Sequence, residues 1–153
     1  MKNIWKINDK EERISYLLDF LDEKSKNGDH MDKLNEVERV FYIASLIEME
    51  VGSGGFHSLF CGYIGDLYDE FQSVYEEIGA KNMARICRDA VALLKGLIPE
   101  GEFDFETAVD IITTKDECYD MFDELDDQVY EYPDDTAELL YKYAIRNKGD
   151  FSY

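Results

Sequence analysis

Apolar residues in this chain recur at intervals of three and four, and that period restricts it to helices. Ile14, Leu17, Leu18 and Leu21 follow Asp9 and Glu12, a capping-box pair. Val37, Val40, Phe41, Ala44, Ile47 and Val51 form a second stripe behind the pair Asn35 and Glu38. Ile43, Leu46 and Met49 widen it, so this helix is expected to be central and buried on most sides. Gly52, Gly54 and Gly55 predict its end, with a short apolar helix over residues 56–63. Leu67, Phe71, Val74 and Ile78 carry the next helix up to Gly79. Met83, Ile86, Cys87, Ala90, Val91 and Leu94 carry another up to Gly96. Residues 105–113 are a weaker helix, because Val109, Ile111 and Ile112 are β-branched. Cys118, Met121, Phe122, Leu125 and Val129 make a clean stripe. Pro133 fits the start of a last helix carrying Ala137, Leu140, Tyr141 and Ala144. No run alternates with period two. The expectation is an all-α single compact domain of seven or eight helices over residues 1–153.

Charge then separates one part of the chain from the rest. Residues 1–96 hold 18 acids and 12 bases, whereas residues 97–138 hold 16 acids and one base, Lys115. The chain's net charge of -19 is thus concentrated in an acid-rich helical segment. Direct binding to nucleic acid or an anionic membrane is disfavoured, since each needs a basic surface. A basic partner is favoured. No run approaches 18 apolar residues, and residues 1–10 lack the apolar core of a signal peptide, so a cytoplasmic address is expected. Cys61, Cys87 and Cys118 lie among apolar helical positions and read as small core residues of a reducing compartment.

Catalytic and metal-binding patterns are sparse. His30 and His57 belong to neither an HExxH nor an ExxH pattern, and no P-loop, dinucleotide fingerprint or GxSxG elbow occurs. A calcium loop over residues 120–131 would need a glycine at its sixth position and has none. The expectation is no enzyme, no metal and no cofactor. The competing reading centres a site on His57, Cys61 and Glu50, with the first two four residues apart on one helical face.

The acid-rich segment carries a more specific pattern. Asp116, Asp120, Asp123, Asp127 and Glu131 are three or four apart, and therefore share one helical face opposite or flanking the core stripe. Glu117, Glu124 and Asp126 lie beside them. A helix of that length spans roughly 22 Å, about one carboxylate per 3 Å. A strand of B-DNA carries a phosphate about every 3.4 Å. Glu100, Glu102, Asp104, Glu106 and Asp110 could extend the same surface. These eight acids, residues 116 to 131, are the expected partner-binding set. The bland alternative is a solvated face that limits aggregation.

Glu50-Val51-Gly52-Ser53-Gly54-Gly55-Phe56-His57-Ser58-Leu59-Phe60, followed by Gly65-Asp66, resembles the signature of the bacterial DNA-mimic protein (DMP) family. Ile78-Gly79-Ala80 and Ala84 extend the likeness, which covers residues 34–95 and leaves the acidic ladder outside it. Ser53, Ser58 and Gly62 stand where the family pattern has Asn, Gln and Asn. Glu50, Gly54, Gly55, Phe56 and Phe60 form the structural motif, with the glycines at a corner and the aromatics packed beneath. The resemblance implies an all-helical, acidic, dimeric protein that occupies the DNA-binding surface of a transcription regulator. The expected partner is therefore a basic DNA-binding protein, or a basic toxin or nuclease if the chain is an immunity-type inhibitor.

Overall fold

The computed structural model describes residues 3–152, so the ends of the expected domain, 1 and 153, lie outside it. Among the described residues it is all-α, a single compact domain built on seven α-helices: α1 (Lys10–Ser25), α2 (Glu36–Cys61), α3 (Phe71–Ile78), α4 (Lys81–Lys95), α5 (Phe105–Thr114), α6 (Asp123–Tyr130) and α7 (Thr136–Arg146). Short 3-10 turns link them, including Gly65–Glu70 before α3 and Asp116–Cys118 before α6. None of the described helices is long and apolar enough to cross a membrane.

Local chemistry sets the helix ends. The Asp9 carboxylate accepts from the Glu12 amide at 2.8 Å, satisfying one of the free N–H groups of α1. Asn35 and Glu38 complete a reciprocal capping box on α2, with bonds of 2.9 and 3.1 Å. Gly79, at φ 86°, ends α3 in the left-handed region that glycine adopts without steric cost. The final helix begins at Thr136, capped by Asp135 rather than started by Pro133. Proline fits the first turn, but the Asp135 carboxylate reaches the Glu138 amide at 3.2 Å and defines the start.

Helix α2 is the axis of the molecule. Residues 40–47 are all buried, as the wide stripe predicts, and α1, α3, α5, α6 and α7 all pack against it. Glu38, fully buried on α2, closes its own N-cap and holds two other segments. It accepts from Lys24 at 2.8 Å, from the Asn35 amide and from the Ser152 amide at 2.9 Å. A buried carboxylate persists only when paired and hydrogen-bonded in this way. Through it, the C-terminus docks on the core, with Phe151 edge-on to Phe41 and Trp5 at 5.7 Å.

Three expectations are corrected. Met49 is 54% exposed, because it lies on the side of α2 left open beside α1 and α7. Cys61 is exposed at the last residue of α2, whereas Cys87 and Cys118 are buried as expected. Residues 116–131 are not one helix. They form a 3-10 turn, then residues 119–122 in turns, and only then α6. The apolar stripe still faces inward, with Cys118, Phe122, Leu125 and Val129 buried. The backbone tightens into three-residue closures, Tyr119 to Asp116 at 3.1 Å and Asp123 to Asp120 at 3.1 Å. Carboxylates four apart repel with no lysine between them to offset the cost, which penalises a continuous helix.

Candidate functional site

The acid-rich segment is mounted on the glycine corner of α2. Gly54 (φ -155°, ψ 21°) and Gly55 (φ 70°, ψ -169°) break the helix, which resumes at once and runs to Cys61. Gly55 has the positive φ that L side chains rarely adopt, and a Cβ there would stand 2.3 Å from the Asp126 carboxylate. The corner leaves the Phe56 amide without a helical partner, and Asp126 Oδ1 accepts it at 2.9 Å. Asp126 of α6 therefore works as a remote cap for the second half of α2. Its carboxyl is pushed up from the ordinary value, first by burial and then by the negative Asp123 and Asp127, against the Phe56 bond that favours ionisation.

Three more contacts fasten the same junction. Phe56, Phe60 and Phe122 form a ring cluster with centroids 5.4 to 6.3 Å apart. The Tyr130 hydroxyl at the end of α6 donates to the Val51 carbonyl at 3.0 Å. His57 Nε2 lies 3.1 Å from the Ile112 carbonyl, tying α5 to the corner. Ser58 donates to Glu50 across the corner at 3.3 Å, and Ser53 back-bonds to the Met49 carbonyl at 2.9 Å. Gly62 terminates α2. Of these three departures from the family pattern, Ser58 spans the corner, Ser53 bonds its own helix and Gly62 caps the helix end.

Asp116, Glu117, Asp120, Asp123, Glu124, Asp127 and Glu131 are all exposed, so seven of the eight expected partner-binding acids face solvent. They do so from a turn and a short helix rather than from one straight rod, so their spacing is not the uniform helical one. Asp126 is the eighth, and it is corrected from a contact to a structural residue, because its oxygens are committed beneath Gly55. Glu100, Glu102, Asp104, Glu106 and Asp110 are exposed too. Of the sixteen acids in residues 97–138, Glu138 is the one that joins an ion pair among the described residues, with Lys10 and Lys142. Asp126 and Asp134 are held on the amides of Phe56 and Met83, and the other thirteen form an exposed field without ion pairs.

Tyrosines punctuate this surface, and the sequence reading passed over them. Tyr119 is 83% exposed between Glu117 and Asp120. Tyr130 and Tyr132 are about half exposed, on either side of Glu131. A large apolar ring left in water among charges is the composition of an interface anchor. The signal was present as three aromatics between acids, outside the buried stripe.

At the competing centre, His57 and Cys61 are neighbours one helical turn apart. Cys61 Sγ is 4.0 Å from His57 Nδ1, and partial burial pushes the thiol up rather than activating it. Glu50 faces Ser58 instead. Among the described residues, no group of three or more His, Cys, Asp or Glu side chains is placed to hold a metal ion.

A helical core carrying an unpaired carboxylate surface defines an acidic all-α protein whose charge is displayed outward. The chain belongs to the DMP19-like protein family, whose model matches residues 32–148. That match extends well beyond the 34–95 motif region and takes in the acid-rich segment, so the likeness is wider than the motif implies. No curated protein and no solved structure gives a significant match to the chain.

Proposed function

We propose that this chain is a non-catalytic DNA mimic that binds the basic DNA-binding surface of a transcription regulator or other DNA-binding protein. The observation that carries the reading is the field of exposed, unpaired carboxylates over residues 97–138, held on a rigid core in a chain of the DMP19-like family. Such a field attracts a basic groove for the same reason that phosphates do, and the preorganised backbone spares the entropy a disordered acidic tail would lose on docking. Tyr119 supplies apolar contact at the centre of the field.

The test is competition. A DNA-binding protein that co-purifies with the chain from its native host should lose its duplex DNA as the chain is added, with affinity falling steeply as salt rises. Reversing Asp120, Asp123 and Asp127 to lysine should abolish that competition while the circular dichroism spectrum is retained. Unchanged competition by the triple variant would overturn the site. A co-purifying basic toxin or nuclease, with no duplex DNA displaced, would replace mimicry with inhibition as the function.

A further inference from the structure

A second surface, distinct from the unpaired acids, lies between α1, α2 and α7. It is a groove of about 480 Å³ floored by Ile14, Leu18, Ala137 and Leu140. Met49 and Tyr132 stand at its edges, 54% and 50% exposed, so apolar surface there remains in water. Glu11, Asp19, Asp22 and Glu48 also line it, and no lysine or arginine does among the described residues.

The four acids are not equivalent. Asp22 accepts from the Tyr42 hydroxyl at 2.5 Å and Glu48 from the Tyr75 hydroxyl at 2.9 Å, so both are turned partly inward. Glu11 and Asp19 are exposed, on the outer side of α1. They are eight positions apart, about 12 Å along the helix, with Ile14 and Leu18 in between. The wall of the groove thus alternates charge, apolar floor, charge over roughly two helical turns.

We propose that this groove is a docking site for a cationic amphipathic helix of a partner protein. The apolar floor takes an aliphatic or aromatic pair spaced i, i+4, and Glu11 and Asp19 take lysines or arginines about two turns apart on the helix's flanks. Charge complementarity selects this occupant. A neutral helix leaves the rim unpaired, and a second copy of this acidic chain brings like charge to it. Met49 suits the role, since its unbranched thioether adapts to different anchors. The groove opens at Tyr132, directly after Glu131 and so at the end of the acid-rich segment. A partner held by the exposed acids can place such a helix here. The groove does not depend on the mimicry reading, because none of the seven exposed ladder acids lines it.

The probe is a labelled 15-residue helical peptide with one leucine pair flanked by four lysines. Its control carries glutamines in place of the leucines. The leucine peptide should bind the full chain about tenfold more tightly than the control, since only it fills the floor. Ala137→Trp, which fills the groove, and Leu18→Gln, which wets it, should each erase that ratio with the fold retained by circular dichroism. The Asp120, Asp123 and Asp127 lysine variant should weaken both peptides and leave the ratio intact, which separates this site from the ladder. Equal binding of the two peptides would overturn the proposal. So would a ratio that survives in a folded groove variant. Self-association of the native chain that Ala137→Trp abolishes would assign the groove to a second copy instead.

Discussion

In residues 1–96 four of the eighteen acids pair with a lysine or arginine among the described residues. Glu38 is buried against Lys24, Glu70 takes both ends of the Arg39 guanidinium at 2.6 Å, and Asp89 lies between Arg85 and Arg88. In residues 97–138 Glu138 is the one acid in an ion pair among the described residues, Asp126 and Asp134 are half-buried on the amides of Phe56 and Met83, and the others stand in water. The same residue types thus serve two purposes. Where a base is within reach, a carboxylate fixes one segment to another. Where none is, it contributes field and costs a little stability through repulsion. Asp126 crosses this division, since it lies in the unpaired region yet holds an amide of the other.

Four measurements can break or sharpen the contrast. The largest effect belongs to Glu38→Ala, which strands Lys24 and two backbone amides. It should cost about 3–5 kcal/mol in urea unfolding. A loss under 1 kcal/mol would show that the paired region is not held by its pairs. Next is Gly55→Ala, which combines a strained positive φ with contact on Asp126 and should cost about 2–4 kcal/mol. Added to Asp126→Ala, it should cost less than the two single losses together, because the clash is then already gone.

Asp126→Ala alone should lose about 1–3 kcal/mol by leaving the Phe56 amide unpaired, while Asp126→Asn keeps an acceptor and should be near neutral. Equal losses in both would place the value of Asp126 in its charge. Smallest are the free acids. Asp127→Asn should raise stability by about 0.2–0.5 kcal/mol, and Asp123→Asn should raise it less, because Asp123 opens α6 and its charge favours the helix N-terminus. pH extends the same point. Asp126 and Glu48 are both raised by burial, so the folded state binds more protons between the ordinary carboxylate range and the raised value. Stability then falls as pH rises through that window, and the melting temperature should fall as the pH is raised from the ordinary carboxylate range to neutrality. Asp126→Asn should reduce that fall.

Much of the fold was legible because its determinants are local. The stripe of α2, the Asn35 and Glu38 box and the stop at Gly79 each depend on residues a few positions apart. What was not legible depends on distant partners. The stripe from Cys118 to Val129 has helical period throughout, and nothing in it announces the turn at residues 119–122. That turn answers repulsion along the acids and the packing of Phe122 on Phe56 and Phe60. Asp126 looked like its neighbours because sequence spacing cannot reveal an amide 70 positions away. Cys61 and Met49 fit an apolar period, but the elements that would have covered them pack elsewhere.

The corner at Gly55 also sets a rule of exchange for the acidic surface. At the seven exposed positions aspartate and glutamate are interchangeable, since each offers a negative charge to water and a methylene more or less meets no wall. At 126 the carboxylate is already in the space a Cβ on residue 55 would need, and glutamate would carry its oxygens past the Phe56 amide into the backbone of the turn. In this chain the charge of the surface is thus carried by side chains of free length, and its attachment to the core by one aspartate of fixed length opposite one glycine.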